Sequence, residues 1–227
     1  MLFRSVKKLH EWCDFARNEI CIGDYEVGRV IARPFSGDPG AFYRLTNDRK
    51  DFSAIPPKNN IVQAVFDAGI RTFSIGKIID LFAEQGFSDY RKSNNNADGI
   101  HVLLETMDKV ENTFVFINLI DTDQLFGHRL DPLGFAGSLK EFDDALPSIL
   151  SKVKEDDLLI ITGDHGNDPC STSTDHSREF VPLLVYPKDQ AESEDLGTRE
   201  TFADVALSIA DFFHFDFETN GSSFLSK

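Results

Sequence analysis

Two apolar runs in this chain end in the same way, and that repetition constrains the fold more than any other feature. Residues 158–161 are Leu and Ile throughout and break at Gly163 into a turn carrying Asp164 and His165. Residues 114–120, FVFINLI, close on Asp121 and Asp123, and His128 follows a few positions on. Short apolar, β-branched runs of this kind suit buried strands. In an open α/β sheet, ligands gather outside the carboxyl ends of the strands, so two strands that end in acids and imidazoles aim both sets into one crevice.

A further acid and imidazole pair, Asp175 and His176, follows the second run before the chain turns apolar again at Phe180. Carboxylate and neutral imidazole together bind divalent ions of the Zn, Mn or Fe class. A lone Asp-His dipeptide is more often a capped loop than a ligand pair. Matching sets at two strand ends favour a binuclear site. Arg29, Arg33 and Lys77 are the cations best placed to meet a phosphate. Lys77 follows Gly76 at the start of a predicted helix, where free backbone N–H groups favour an anion. The ordinary alternative for each of these cations is a solvated surface charge.

The rest of the chain supplies the frame. Apolar spacing predicts an amphipathic helix over 6–20, a strand over 27–32 and a turn at 36–40. The polar stretch 41–57 ends in Pro56-Pro57 and reads as a connection, which places a boundary between residues 1–55 and 56–227. Beyond it the pattern predicts helices over 60–68, from 77, over 97–110, over 132–150 and over 198–212. Strands are expected at 72–75, 114–120, 158–161 and 180–186. Strands alternating with helices imply an α/β fold, a mostly parallel sheet flanked by helices on both faces.

Charge and composition exclude several classes. With 38 acidic against 23 basic side chains and a net charge of −15, the chain lacks the clustered cations of a nucleic-acid surface. No apolar run approaches the ~20 residues of a membrane helix, and no secretory leader is evident. Cys13, Cys21 and Cys170 form no CxxC pair and no even framework, so reduced thiols in a cytoplasmic protein are the simplest reading.

The blocks VGRVIARPF, IGKI, IDTDQLFGHR, DPLGFAGSLKEFD, DDLLIITGDHGNDP, TDHSREFVPLLVY and LGTRETFADV resemble the phosphopentomutases of the alkaline phosphatase superfamily, from about Tyr25 to the C-terminal region. The resemblance implies an α/β core interrupted by a smaller α+β cap, with residues 1–55 a remnant of the cap and 56–227 the C-terminal part of the core. It implies two divalent ions, Mn2+ above all, and interconversion of ribose or deoxyribose 1-phosphate and 5-phosphate. Asp123, His128 and His176 would hold one ion, and Asp164 and His165 the other. Arg29, Ile31 and Lys77 would meet the sugar phosphate.

No block in this chain matches the family's N-terminal core segment, which carries a further metal-binding Asp and the threonine nucleophile. Thr162, Thr172, Ser173 and Thr174 lie near the metal loop, but the resemblance assigns none of them that role, so no catalytic residue is named. The expectation is a C-terminal part of a mutase that self-associates through an exposed sheet edge. A metal-dependent phosphatase, a cofactor-independent phosphoglycerate mutase or a noncatalytic sugar-phosphate-binding module are the alternatives. The first reading predicts little ribose 5-phosphate when these residues alone are incubated with Mn2+ and ribose 1-phosphate, and robust product in that assay would contradict it.

Overall fold

The computed structural model describes residues 5–187 and 193–225. The chain forms two compact units, Met1–Lys58 with Ile79–Gln85, and Asn59–Ile78 with Gly86–Lys227.

In the first unit, helix α1 (Val6–Phe15) starts at Ser5, whose hydroxyl accepts from Lys8 N–H at 3.1 Å. That bond satisfies one of the orphan donors of a helix start. The helix continues as a wider π turn over Ala16–Ile20, where Arg17 is buried and donates to the Cys21 carbonyl and to Glu26. Strand β1 (Arg29–Ala32) leads to the short strands β2 (Phe35–Ser36) and β3 (Tyr43–Arg44), which pair with each other, and then to β4 (Lys50–Ser53). β4 pairs antiparallel with β1, Ile31 facing Asp51. The polar stretch expected to be a connection therefore holds two strands. Its charges concealed them: Asp51 is held by Arg29 at 3.2 Å and Arg49 at 3.0 Å, so this carboxylate sits in a strand with its charge compensated.

The second unit carries the expected alternation. Helix α2 (Ile61–Asp67) is capped by Asn60, whose Oδ1 accepts from Gln63 N–H at 3.0 Å. Strand β5 (Arg71–Ile75) follows; the chain then makes a single helical turn, α3 (Ile78–Leu81), most of which counts with the first unit, and the second unit resumes with a three-residue edge strand, β6 (Asp89–Arg91). Helix α4 (Asn96–Met107) crosses to β7 (Thr113–Ile117). β5 pairs in parallel with β6 on one side and β7 on the other. Phe73 and Ile75 of β5 pack with Val102 of α4, joined by Leu103, Val115 and Ile117. This is an α/β arrangement, with the connecting helix burying one face of the sheet.

Helix α5 (Pro132–Lys152) opens on Asp131, whose Oδ1 accepts from Gly134 N–H at 2.9 Å, and Pro132 occupies its first turn where no donor is lost. The helical period places Phe135, Leu139, Phe142, Leu146 and Ile149 on one face; of these Ile149 is buried, as is Ser138 off that line, whereas Leu139 is exposed. Strand β8 (Leu158–Thr162) then pairs antiparallel with β9 (Leu183–Pro187), Ile160 opposite Val185. In addition to the parallel three-stranded sheet, the unit thus holds an antiparallel pair, for a physical reason. A parallel return needs a crossover, usually a helix; residues 163–182 form an irregular loop that reverses the chain instead. Helix α6 (Ala203–Phe212) starts later than expected because Arg199 lies outside it, bound to the buried Asp204 at 2.6 Å and to the Ser222 carbonyl at 2.8 Å.

Among the described residues no helix is long and apolar enough to cross a membrane, and Cys13, Cys21 and Cys170 are unbridged. Ile75 is fully buried at the end of β5 that leads to the site. Ile75→Ala is expected to cost about 2–5 kcal/mol in denaturant unfolding.

Candidate metal centre

Both acid-bearing loops lie in the second unit. After β7 the backbone runs through Asn118 to Asp121 and coils into a π turn, Thr122–Phe126, followed by a 3-10 turn, Gly127–Arg129. Of the two carboxylates at this strand end, Asp121 is structural. Its Oδ2 accepts from Asn96 N–H at 2.8 Å while the buried Asn96 side chain accepts from Asp121 N–H at 3.0 Å, which ties the first turn of α4 to the strand end. Asp123, one half-turn on, faces the other loop.

Asp123 Oδ1 lies 3.3 Å from His128 Nε2 and 3.2 Å from His176 Nε2. The His176 ring stacks on that of His165, centroids 3.5 Å apart and planes 16° from parallel, and on that of His128 at 4.8 Å. His165 Nε2 is 3.6 Å from Asp164 Oδ1, whose side chain is 85% exposed. The five residues read from sequence as metal ligands thus form one contiguous cluster. Ligand atoms of Asp123, His165 and His176 all lie within 4.8 Å of one another. Asp175 stands outside this group: it is exposed, and its N–H donates to Ser173 Oγ at 3.1 Å.

The outer contacts of the rings decide what they offer inward. His128 Nδ1 is 2.5 Å from the Thr174 carbonyl, and His165 Nδ1 is 3.1 Å from the Gly166 carbonyl. A carbonyl only accepts, so each Nδ1 carries the hydrogen and each Nε2 presents a lone pair. Lone pairs and a carboxylate oxygen converging on one space is a donor set that fits a divalent cation. Ligand atoms bound at ~2.0–2.2 Å to one ion lie ~3–3.5 Å apart, the spacing seen around Asp123.

Lys77 approaches the same loop from β5. Its Nζ donates to Gln124 Oε1 at 2.7 Å, beside Asp123, and its backbone N–H donates to Asn118 Oδ1 at 2.8 Å. The helix it was expected to open is only the one-turn α3, so the side chain and not a helix terminus is its asset. Arg29 and Ile31 belong to the first unit, on β1, where Arg29 pairs with Asp51. Arg33 in that unit lines a shallow hollow of about 360 Å³ with Phe35, Phe42, Tyr43 and Arg44. Gln124, Asn118 and Asn167 are polar contacts of the centre that pattern reading passed over. Their only signal was adjacency to the acids, in the order Asp-Gln and Asp-His-Gly-Asn.

An α/β unit whose strand-end loops converge Asp and His is the architecture of a metal-dependent enzyme. The chain belongs to the metalloenzyme superfamily, whose family model matches residues 46–217. Among its relatives, phosphopentomutase from Caldanaerobacter subterraneus subsp. tengcongensis is 48% identical over 222 residues, covering 98% of this chain and 56% of the relative. Phosphopentomutases from Dictyoglomus thermophilum and Acetivibrio thermocellus are 47% and 46% identical, covering 97% and 98% of this chain and 56% and 57% of theirs. The chain spans about half the length of the curated relatives it matches. A solved structure of a Pyrococcus horikoshii protein shares the fold, with a TM-score of 0.55 at 16% identity, over 77% of this chain and 58% of that one.

Gly76 sets where Lys77 sits. Its φ is +84°, and a Cβ there would lie 2.6 Å from Asn118 Oδ1 and 2.9 Å from the Asn118 carbonyl oxygen. Gly76→Ala is expected to cost about 1–3 kcal/mol through backbone strain alone, measured by thermal or denaturant unfolding.

Proposed function

We propose that these residues are the metal-binding part of a phosphopentomutase, which interconverts (deoxy)ribose 1-phosphate and (deoxy)ribose 5-phosphate at two divalent ions, Mn2+ by preference. The observation that carries the reading is the convergence of Asp123, His128, His165 and His176, from loops after two different strands. It occurs in a chain nearly half identical to proteins named phosphopentomutase.

In this reading Asp123, His128 and His176 hold one ion and Asp164 and His165 the other. The exposed Asp164 is then the ligand most open to substrate. Bound there, the ions would supply the positive charge that stabilises phosphoryl oxygens as they gain charge. Lys77 would meet the sugar phosphate with a charge-assisted hydrogen bond, exchanging or sharing its bond to Gln124. Arg29 and Ile31, on β1 of the first unit, are the sugar-phosphate contacts proposed for that unit, Arg29 through guanidinium donors beyond those committed to Asp51. Residues 1–55 would be part of a cap and 56–227 part of the core. Because Asp123, the three histidines and Lys77 all belong to this chain, binding is the direct test.

Titration of the chain with Mn2+, followed by loss of the free-ion electron paramagnetic resonance signal, should show binding that Asp123→Ala removes. Lys77→Ala should instead weaken ribose 5-phosphate binding and leave Mn2+ affinity unchanged. Mn2+ binding that is absent, or that survives Asp123→Ala intact, would sink the proposal.

A further inference from the structure

We infer that Asn167 is a positioning residue for the metal centre, holding the Asp123 carboxylate in the orientation that receives an ion; the inference rests on the metal-binding reading above. Asn167 Nδ2 donates to Asp123 Oδ1 at 2.9 Å, the same oxygen that faces His128 and His176. A carboxylate only accepts when ionised, so the amide must turn its NH2 toward it, and that choice fixes the Asn167 rotamer. A free Asp side chain would rotate about two bonds. With one lone-pair direction of Oδ1 taken up by a neutral donor, the carboxylate is held in place without its charge being neutralised.

Asn167 is itself held. Ser177 N–H donates to the Gly166 carbonyl at 3.0 Å, and Asp168 N–H donates to Ser177 Oγ at 3.0 Å. These two bonds flank Asn167 on one strand of the loop and adjoin His176 on the other, so both residues that touch Asp123 from this side move together. The opposite wall is Gly127. It is buried, and a Cβ there would collide with the Asn167 side chain, its Oδ1 included at 2.9 Å. Gly127 thus provides the space in which the Asn167 amide reaches across to Asp123. Gly127 also donates its backbone N–H to the Asp123 and Thr122 carbonyls, so the double variant, in which Asn167→Ala leaves room for the methyl, separates displacement of Asn167 from movement of the turn.

Outer groups that orient a metal ligand typically carry about 10–100-fold in affinity. Mn2+ titrations of the chain with wild-type sequence, Asn167→Ala, Gly127→Ala and the double variant test the assignment. The metal-free melting temperature of each, recorded in chelator, tracks folding separately. The expected result is about 10–100-fold weaker Mn2+ binding in each single variant. The double variant should be no weaker than the worse single, because both remove one interaction. Wild-type affinity in folded Asn167→Ala would overturn the role of Asn167, as would losses confined to the metal-free melting temperature. Should Gly127→Ala fail to fold, Asn167→Ala alone still decides. Absence of Mn2+ binding in the wild type would remove the metal reading and this inference with it, an outcome distinct from binding that is indifferent to Asn167.

Discussion

One carboxylate oxygen, Asp123 Oδ1, is the point at which two loops of this protein are joined. His128 from its own loop, and His176 and Asn167 from the loop after β8, all approach it within 3.3 Å. The Asn167 amide donates to it, while the two imidazole nitrogens face the same space. The two loops also meet through the ring stack and the His128 contact to the Thr174 carbonyl. Everything chemical about the centre follows from where this side chain is placed.

Its placement is inherited from the parallel sheet. β7 is paired along its length with β5, whose buried face packs on α4, and the end of β7 is tied to the first turn of α4 through the reciprocal Asn96 and Asp121 bonds. The π turn that follows therefore starts from a rigid origin. Lys77 leaves the neighbouring strand at the same level and reaches the same turn through Gln124. A cation and an acid-imidazole cluster are thereby presented side by side by adjacent strand ends, as expected where the carboxyl edge of a parallel sheet meets solvent.

The second loop is organised differently. β8 and β9 pair antiparallel, so residues 163–182 leave and return along one ribbon, and their irregular path is secured by short local bonds such as Ser177 to Gly166 and to Asp168. A loop of this length without a helix of its own is usually functional. Here it carries Asp164, His165, Asn167 and His176, and its His165 and His176 rings stack with centroids 3.5 Å apart.

Much of this was legible in the residues. Strand-end acids, the alternation of strands with helices and the approximate spans of α2 and α5 act over a few positions, and local steric and hydrogen-bonding rules reach that far. The strands at 43–44 and 50–53 were not, because Asp51 is compensated by partners that a polar count cannot see. The later start of α6 was hidden in the same way, by the ion pair between Arg199 and a buried Asp204. Leu139 followed the helical period yet faces solvent, since periodicity names a stripe but not what covers it.

By itself the amino-acid sequence determined which acids and imidazoles are candidate ligands and the strand ends from which they hang. Only the tertiary structure decided that Asp121 caps a helix while Asp123 faces the histidines, that β9 returns antiparallel, and that Asn167 completes the carboxylate's contacts. The physical reason is distance along the chain: the contacts that bring the second loop to Asp123 and His128 join residues 44 to 53 positions apart. Contacts of that span exist only after the sheet has set the two loops at one edge.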